Sequence, residues 1–161
     1  MTRLPLSRGL TAIVDDRDAW AASFTWHAAA RGRVVYAARH VVASSGARTK
    51  RYLHREILAA PPGVEVDHLN LDGLDCRREN LRLADHAENK WNRGRNRNNT
   101  SGFKGVSWSA RRRRWVAQIV ANGTTTQLGY FDTVEAAARA YDAAARVLHR
   151  EFARLNLPEG T

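Results

Sequence analysis

Residues 90–101, KWNRGRNRNNTS, hold no aliphatic side chain. A stretch that cannot bury apolar surface cannot pack a core. It reads as a linker that divides the sequence into an N-terminal part and a second unit over 102–157. The whole chain has 161 residues, so each part is a small domain. Hydrophobic residues make up 43% of it, enough for cores on both sides. Lys and Arg total 26 against 16 Asp and Glu, a net charge of +10. So basic a chain points to a polyanionic partner. Charge alone suits a ribosomal-type protein as well as a nuclease or a regulator. The one cysteine, Cys76, excludes an intramolecular disulfide and a Cys-rich zinc site. The opening MTRLPLSRGL has no signal-peptide run, and no stretch is long enough to span a bilayer. The expectation is a soluble, cytoplasmic protein with no membrane partner.

The fold class expected is α+β. Before residue 64 the pattern is mixed. Residues 33–42 read as a strand, Ser44-Ser45-Gly46 as a turn and Arg48 to Leu53 as the returning strand. His54 to Ala59 reads as a short helix stopped by Pro61-Pro62-Gly63. Trp20, Phe24, Trp26 and Tyr36 are expected to form the core of this region. In the second unit, segments beginning at Phe103, Trp115 and Thr125 read as strands, with Asn122-Gly123 as a tight hairpin turn. Thr133 caps a helix to about Arg150, with Ala137, Ala140, Tyr141, Ala144 and Leu148 as its apolar stripe. Three strands and one amphipathic helix complete a small α+β unit.

Chemistry is concentrated in 64–89. Val64 to His68 reads as a strand ending in an acid and an imidazole. A polar loop with Asp72-Gly73 follows, and Asn80 to Leu83 reads as the return strand, with Leu81 and Leu83 on one face. Asp85, with Glu88 three residues on, fits a capping box. The result is a ββα unit. His86 and Asn89 then share a helix face that can look back at Asp67 and His68. Phosphodiester hydrolysis needs a water deprotonated and the charge on the leaving oxygen neutralised. A neutral His suits the first task. A divalent cation on oxygen ligands suits the second, and Asp67 and Asn89 offer such oxygens. Singly, each of these residues also has a structural role open to it. Asp72 and Asp75 read as turn residues, and His27 and His40 as structural. His54 reads as a packing or phosphate-contacting residue.

Asp67-His68, then Asn80 twelve residues past His68 and Asn89 nine further on, form a spaced signature. It resembles the H-N-H homing endonuclease family of the phage intron-encoded type. The resemblance implies that His68 activates water, Asp67 binds metal, Asn80 holds the loop and orients His68, and Asn89 completes the metal site. His86 competes with Asn89 for that last place. The implied cofactor is Mg²⁺, with Mn²⁺ also accepted. Many members carry a four-cysteine zinc clamp. This chain lacks it, so its first region must support the site by packing.

From Lys90 to Arg114 there are nine bases and no acid: Lys90, Arg93, Arg95, Arg97, Lys104, Arg111, Arg112, Arg113 and Arg114. Such a run reads as a phosphate-contacting track. Residues 99–158, from Asn99-Thr-Ser-Gly-Phe-Lys-Gly-Val to Ala153-Arg-Leu-Asn-Leu-Pro, resemble the AP2/ERF DNA-binding domain of plants. That implies a three-stranded antiparallel sheet laid in the major groove and backed by a helix. Plant members place Arg and Trp on the DNA face. Here the matching places hold Lys104, Ser107, Gln118, Thr125 and Gln127, with Trp108 nearby. Gly105 and Gly129 read as packing and backbone positions. The organisation implied is an H-N-H domain over 1–92 (its ββα unit at 64–92), a basic linker over 93–98 and the AP2-like domain over 99–158. The expected activity is metal-dependent cleavage of double-stranded DNA, by a monomer or weak homodimer. The alternative is a DNA-binding regulator with a retired H-N-H unit.

Overall fold

Leu4, Ala12 and Val14 alternate with more exposed neighbours, and this puts them on the inner side of an antiparallel hairpin of β1 (Thr2–Pro5) and β2 (Thr11–Val14). The hairpin opens the first of two compact units, Met1–Asp85 and His86–Thr161, in a computed structural model that describes residues 1–157. Pro158, the last residue of the AP2-like likeness, lies outside the described residues. Next come β3 (His27–Arg31), β4 (Val34–Val42) and β5 (Arg48–Tyr52), an antiparallel sheet in that order. Helix α1 (Leu53–Ile57) buries Leu53, His54 and Ile57. The Arg55 guanidinium donates to the carbonyls of Ala60 and Pro61, at 3.2 and 2.9 Å, and fixes the turn that stops the helix. Strands β6 (Glu65–His68) and β7 (Leu81–Ala84) then pair antiparallel.

The first core gathers Leu4, Val14, Leu53, Ile57, Val66, Cys76 and Leu81 around Trp26. Of the aromatics expected there, only Trp26 is fully enclosed, at 3% exposure. Trp20 and Phe24 are 40% and 42% exposed and meet edge-on outside the core. The Arg39 guanidinium, paired with Glu56, lies 3.8 Å over the Phe24 ring and holds it at the surface. Leu83 also departs from expectation: Leu81 enters the core, while Leu83 is 46% exposed.

In the second unit, α2 (His86–Asn92) takes in the first three residues of the expected linker. Strands β8 (Val106–Ser109), β9 (Arg114–Ala121) and β10 (Thr124–Phe131) form an antiparallel sheet with β9 central. Asn122 and Gly123 both adopt positive φ, 50° and 75°, the conformation a two-residue hairpin turn demands. A register shift between Gln127 and Gly129 marks a bulge. Helix α3 (Val134–Leu148) starts where the Thr133 hydroxyl accepts from the Ala136 N–H at 3.2 Å. Its buried residues are Ala137, Ala138, Tyr141, Asp142 and Ala145, a stripe turned slightly from the expected one; Leu148 is 43% exposed. Gly105 is where the helix meets the sheet most closely. A Cβ there would stand 2.2 Å from the Tyr141 ring and 2.5 Å from the Gln118 carbonyl.

Candidate active site and nucleic-acid interface

The loop between β6 and β7 is closed by one side chain. Asn80, 6% exposed, accepts from the Asn70 N–H at 3.0 Å and donates to the Asn70 side-chain oxygen at 3.0 Å and the Asp75 carbonyl at 2.8 Å. Its own carbonyl accepts from Leu69 N–H at 2.9 Å. An amide is the group for this place, because it donates and accepts at once. Asp75, expected as a turn residue, is 4% exposed and organises the other side of the loop. It accepts from Arg77 at 2.8 and 2.7 Å and from the Asn70 amide at 2.9 Å, and these donors hold its carboxyl below the usual range. Arg78 makes two bonds to the buried Asp18 at 2.8 and 2.9 Å, tying the loop to the N-terminal region. β2 completes the frame: Ile13 donates to Leu74 O and accepts from Cys76 N, both at 2.9 Å. Burial pushes the Cys76 thiol up to about 12, so it packs as an inert apolar group. Asp72 is a turn residue as expected, accepting from Leu74 N–H at 2.9 Å. Gly73 also has a packing reason, since a Cβ there would lie 2.4 Å from Val35 O. The acid–base alternation of Asp75-Cys-Arg-Arg-Glu was the one signal in the sequence for this buried network.

At the end of this frame His68, 5% exposed, stands among rings. The His54 ring meets it edge-on at 5.0 Å and the Tyr36 ring lies 5.7 Å away. Tyr52 and Tyr36 in turn pack on His54, at 5.6 and 5.2 Å. Burial lowers the His68 pKa, against the opposing pull of Asp67, Asp72 and Asp75, which favours the neutral imidazole that proton abstraction needs. His54 and Tyr36 therefore serve as walls of the site, a role the sequence reading did not give to Tyr36. Asp67, 3% exposed, sits opposite Arg82 in the ladder, and Arg82 donates to its Oδ2 at 2.9 and 2.7 Å. Asn89, half-buried, and His86, exposed, lie on α2 in the second unit.

Among the described residues no group of three or more His, Cys, Asp and Glu side chains is placed to hold a metal ion. A hard cation acting on phosphate needs no such cage. Mg²⁺ keeps waters and substrate oxygens beside one or two protein carboxylates. Asp67, a carboxylate next to His68 and fixed in direction by Arg82, fits that kind of site.

The sheet of the second unit has one face on α3 and one open. Cross-strand partners share a face, so the register assigns the residues. Val106, Ala117, Trp115 and Phe131 face the helix core. Ser107, Gln118, Gln127 and Thr125 all fall on the open side, with Gln118 and Gln127 directly paired. Arg114 and Tyr130 share that side. Arg112 lies 4.7 Å over the Tyr130 ring, and Arg111, Arg112, Arg114 and Tyr130 line a shallow depression. Arg113 sits in the turn at φ 50°. Lys90, Arg93, Arg95 and Arg97 are exposed. Two residues expected with this face are placed elsewhere. Trp108 pairs with Trp115 on the helix side, their rings 5.2 Å apart edge-on. Lys104 is drawn to α2 by carbonyls that have no partner within the helix, its ammonium donating to Trp91 O and, at 2.7 Å, to Arg93 O.

Residues 59–90 match the HNH endonuclease family, and residues 101–151 match the AP2 domain. Protein 3.8 of Escherichia phage T7 is 39% identical over 94 residues, 58% of this chain and 77% of that one. HNH endonuclease L560 of Acanthamoeba polyphaga mimivirus is 32% identical over 113 residues, 66% of this chain and 58% of that one. Dehydration-responsive element-binding protein 2D of Arabidopsis thaliana is 47% identical over 62 residues, 35% of this chain and 28% of that one. No solved structure matches the chain significantly.

Proposed function

This chain belongs to the H-N-H endonuclease family in its phage-type form with an AP2 domain, and from that membership we propose that it hydrolyses phosphodiester bonds of duplex DNA in a metal-dependent, site-preferring manner, as homing-type nucleases do, within an infected host cell. The reading rests above all on one arrangement: a loop clamped by Asn80 that ends at a buried, neutral His68 beside Asp67.

In this mechanism the open face of the AP2 sheet and the exposed bases of 90–114 hold the duplex, with Gln118 and Gln127 as candidates for reading base edges. Asp67 is the carboxylate proposed for a divalent cation, Mg²⁺ or Mn²⁺, which when bound would neutralise charge on the scissile phosphate and the leaving oxygen; Asn89, on α2 of the second unit, is the further oxygen donor that the H-N-H signature implies. His68 takes a proton from the attacking water at an imidazole nitrogen. Asn80 keeps the loop closed so that His68 holds its direction, and the rings of Tyr36 and His54 limit its rotation. Arg82 orients Asp67.

The test is incubation of supercoiled plasmid with the protein in Mg²⁺ or in EDTA, beside His68→Ala. Nicking or linearisation in Mg²⁺ alone is expected. The variant should lose about 10²–10⁴-fold in rate, as removal of a general base does, while binding is kept. Tight binding with no cutting in any divalent metal would leave the regulator reading in its place; the engagement of the Asp67 carboxylate by Arg82 is the observation that favours it.

A further inference from the structure

Tyr36 and Tyr52 reach the histidine rings from one face of the β3–β4–β5 sheet. The register says what else that face carries. Moving along β4 in steps of two, Val34 pairs with Arg31, Tyr36 with Ala29, Ala38 with His27 and Tyr52, His40 with Lys50, and Val42 with Arg48. The other face presents Ala28, Ala37 and Val35 to the core. So the face that walls the His68 pocket continues outward as a basic row, with Arg31 on one side of Tyr36 and His40, Lys50 and Arg48 on the other. All four are exposed, and Val42 at the far end is 60% exposed. Residues 19–55 contain seven Lys and Arg and no acid. Two of those bases are engaged, Arg39 with Glu56 and Arg55 with backbone carbonyls. Among the described residues Arg31, Arg48 and Lys50 have no carboxylate partner.

The field of this row is felt locally. The pKa of His27, its ring stacked on His40 at 5.0 Å, is lowered by burial and then by repulsion from His40 and Lys50. Positive charges left side by side on a fold cost stability unless a polyanion joins them.

We propose that this sheet face is a second duplex-binding surface, belonging to the nuclease unit itself, which carries a phosphate backbone across Tyr36 to His68. It deepens the nuclease reading and rests on it for what is delivered. β4 from Val34 to Val42 spans roughly 27 Å at about 3.4 Å per residue. That is on the order of eight phosphates of one strand at about 3.4 Å of axial rise each. Arg31 and the Lys50–Arg48 pair therefore flank the site and fix the backbone on both sides of the phosphate to be cut.

The faces of one strand supply the control. Arg48 and Lys50 lie on the proposed face, and Arg51, also exposed and likewise basic, lies on the other. Binding of a labelled DNA duplex is measured over a series of KCl concentrations in the full chain with His68→Ala. In that background no cutting interferes, and a failed nuclease test leaves the readout standing. Arg48→Gln/Lys50→Gln should make the slope of log K against log [KCl] shallower by about 0.9 per lost contact, ~1.8 in all. Arg51→Gln should leave it unchanged, and the charge-keeping pair Arg48→Lys/Lys50→Arg should restore it. A parental slope in the Gln pair overturns the proposal. So does an equal change in Arg51→Gln, or a loss that the charge-keeping pair fails to restore.

Discussion

An imidazole pressed between rings stays neutral because its charged form has no water to solvate it. His54 is 7% exposed and touches the rings of Tyr36, Tyr52 and His68. Burial, then repulsion from His68 and Arg55, lowers its pKa to about 3. The unfolded residue titrates near about 6.5. Between those values the unfolded chain binds a proton that the folded chain refuses, so stability rises with pH across the window. The contribution of His54 is complete above about pH 6.5 and is lost progressively as the pH falls towards 3. Buried carboxylates such as Asp18 and Asp75 have pKa values held down, and they add their own loss from about pH 5 downward. Urea unfolding from about pH 6.5 to 5 therefore reads mainly the imidazoles. His54→Phe keeps a ring and cannot titrate. Its profile should be flatter than the parent's by close to one proton per molecule, and an identical profile would mean that His54 is protonated in the fold.

Helix α2 shows how an element can take its place from a residue far along the chain. Its C-terminal carbonyls at Trp91 and, just beyond, Arg93 receive the Lys104 ammonium. The Trp91 ring stacks on His149 at 4.5 Å, 12° from parallel, and His149 Nε2 is 2.8 Å from Val120 O. Asn156 fixes the Lys104 backbone from both sides, accepting from its N–H at 2.6 Å and donating to its carbonyl at 3.1 Å. Burial, then Arg154 and Arg93, lowers the Lys104 pKa to about 8, so it is still mostly charged at neutral pH. Lys104→Ala should free this end of the helix at a cost of about 1–2 kcal/mol. Amide hydrogen exchange across α2 should quicken roughly tenfold, with the salt dependence of DNA binding little changed. Unchanged exchange, with a salt slope shallower by about one, would make Lys104 a phosphate contact instead. This cap was not legible in the sequence, because Lys104 lies in a basic run whose other members are exposed. What was legible followed from local rules. Asn122-Gly123 dictates a hairpin, Thr133 a helix start, and the apolar alternation around Ala117 and Ile119 a central strand. The clamp around the β6–β7 loop was expected only through the H-N-H resemblance that the spacing of His68 and Asn80 carries, since an Asn taken alone satisfies backbone groups in many other settings. The misplaced aromatics failed for a different reason. Whether Trp20 and Phe24 are buried depends on the small alanines of β2, β3 and β4, which leave room for one large ring, Trp26.

Charge is the property that belongs to the molecule as a whole. The 26 bases and 16 acids are not mixed evenly. Residues 19–55 and 89–131 hold 16 of the bases between them and no acid. The acids between those stretches are largely spent inside the fold. Asp67 pairs with Arg82, Asp75 with Arg77, and Glu56 with Arg39, each pair within 3.1 Å. In the second unit Asp142 caps Asn156 N–H and Leu157 N–H at 2.8 and 2.9 Å. Most of these acids thus hold structure while most of the bases of the two stretches face solvent, and each unit has its own basic surface. Both are strand faces fringed with Arg and Lys, side chains that meet phosphate. If both engage the same duplex, the counterions released are the sum of two surfaces, and affinity must fall steeply with salt. For six or more phosphate contacts the loss between 50 and 200 mM salt is on the order of 10³-fold or greater. Equilibrium binding of a duplex across that range, with plasmid cleavage followed in parallel, measures it. Cleavage at limiting protein should fall with binding, and cleavage at saturating protein should hold, because salt removes the complex and not the chemistry of His68. An affinity flat across the range would mean that the net charge of +10 is not directed at DNA at all, and that contacts of another kind hold the substrate.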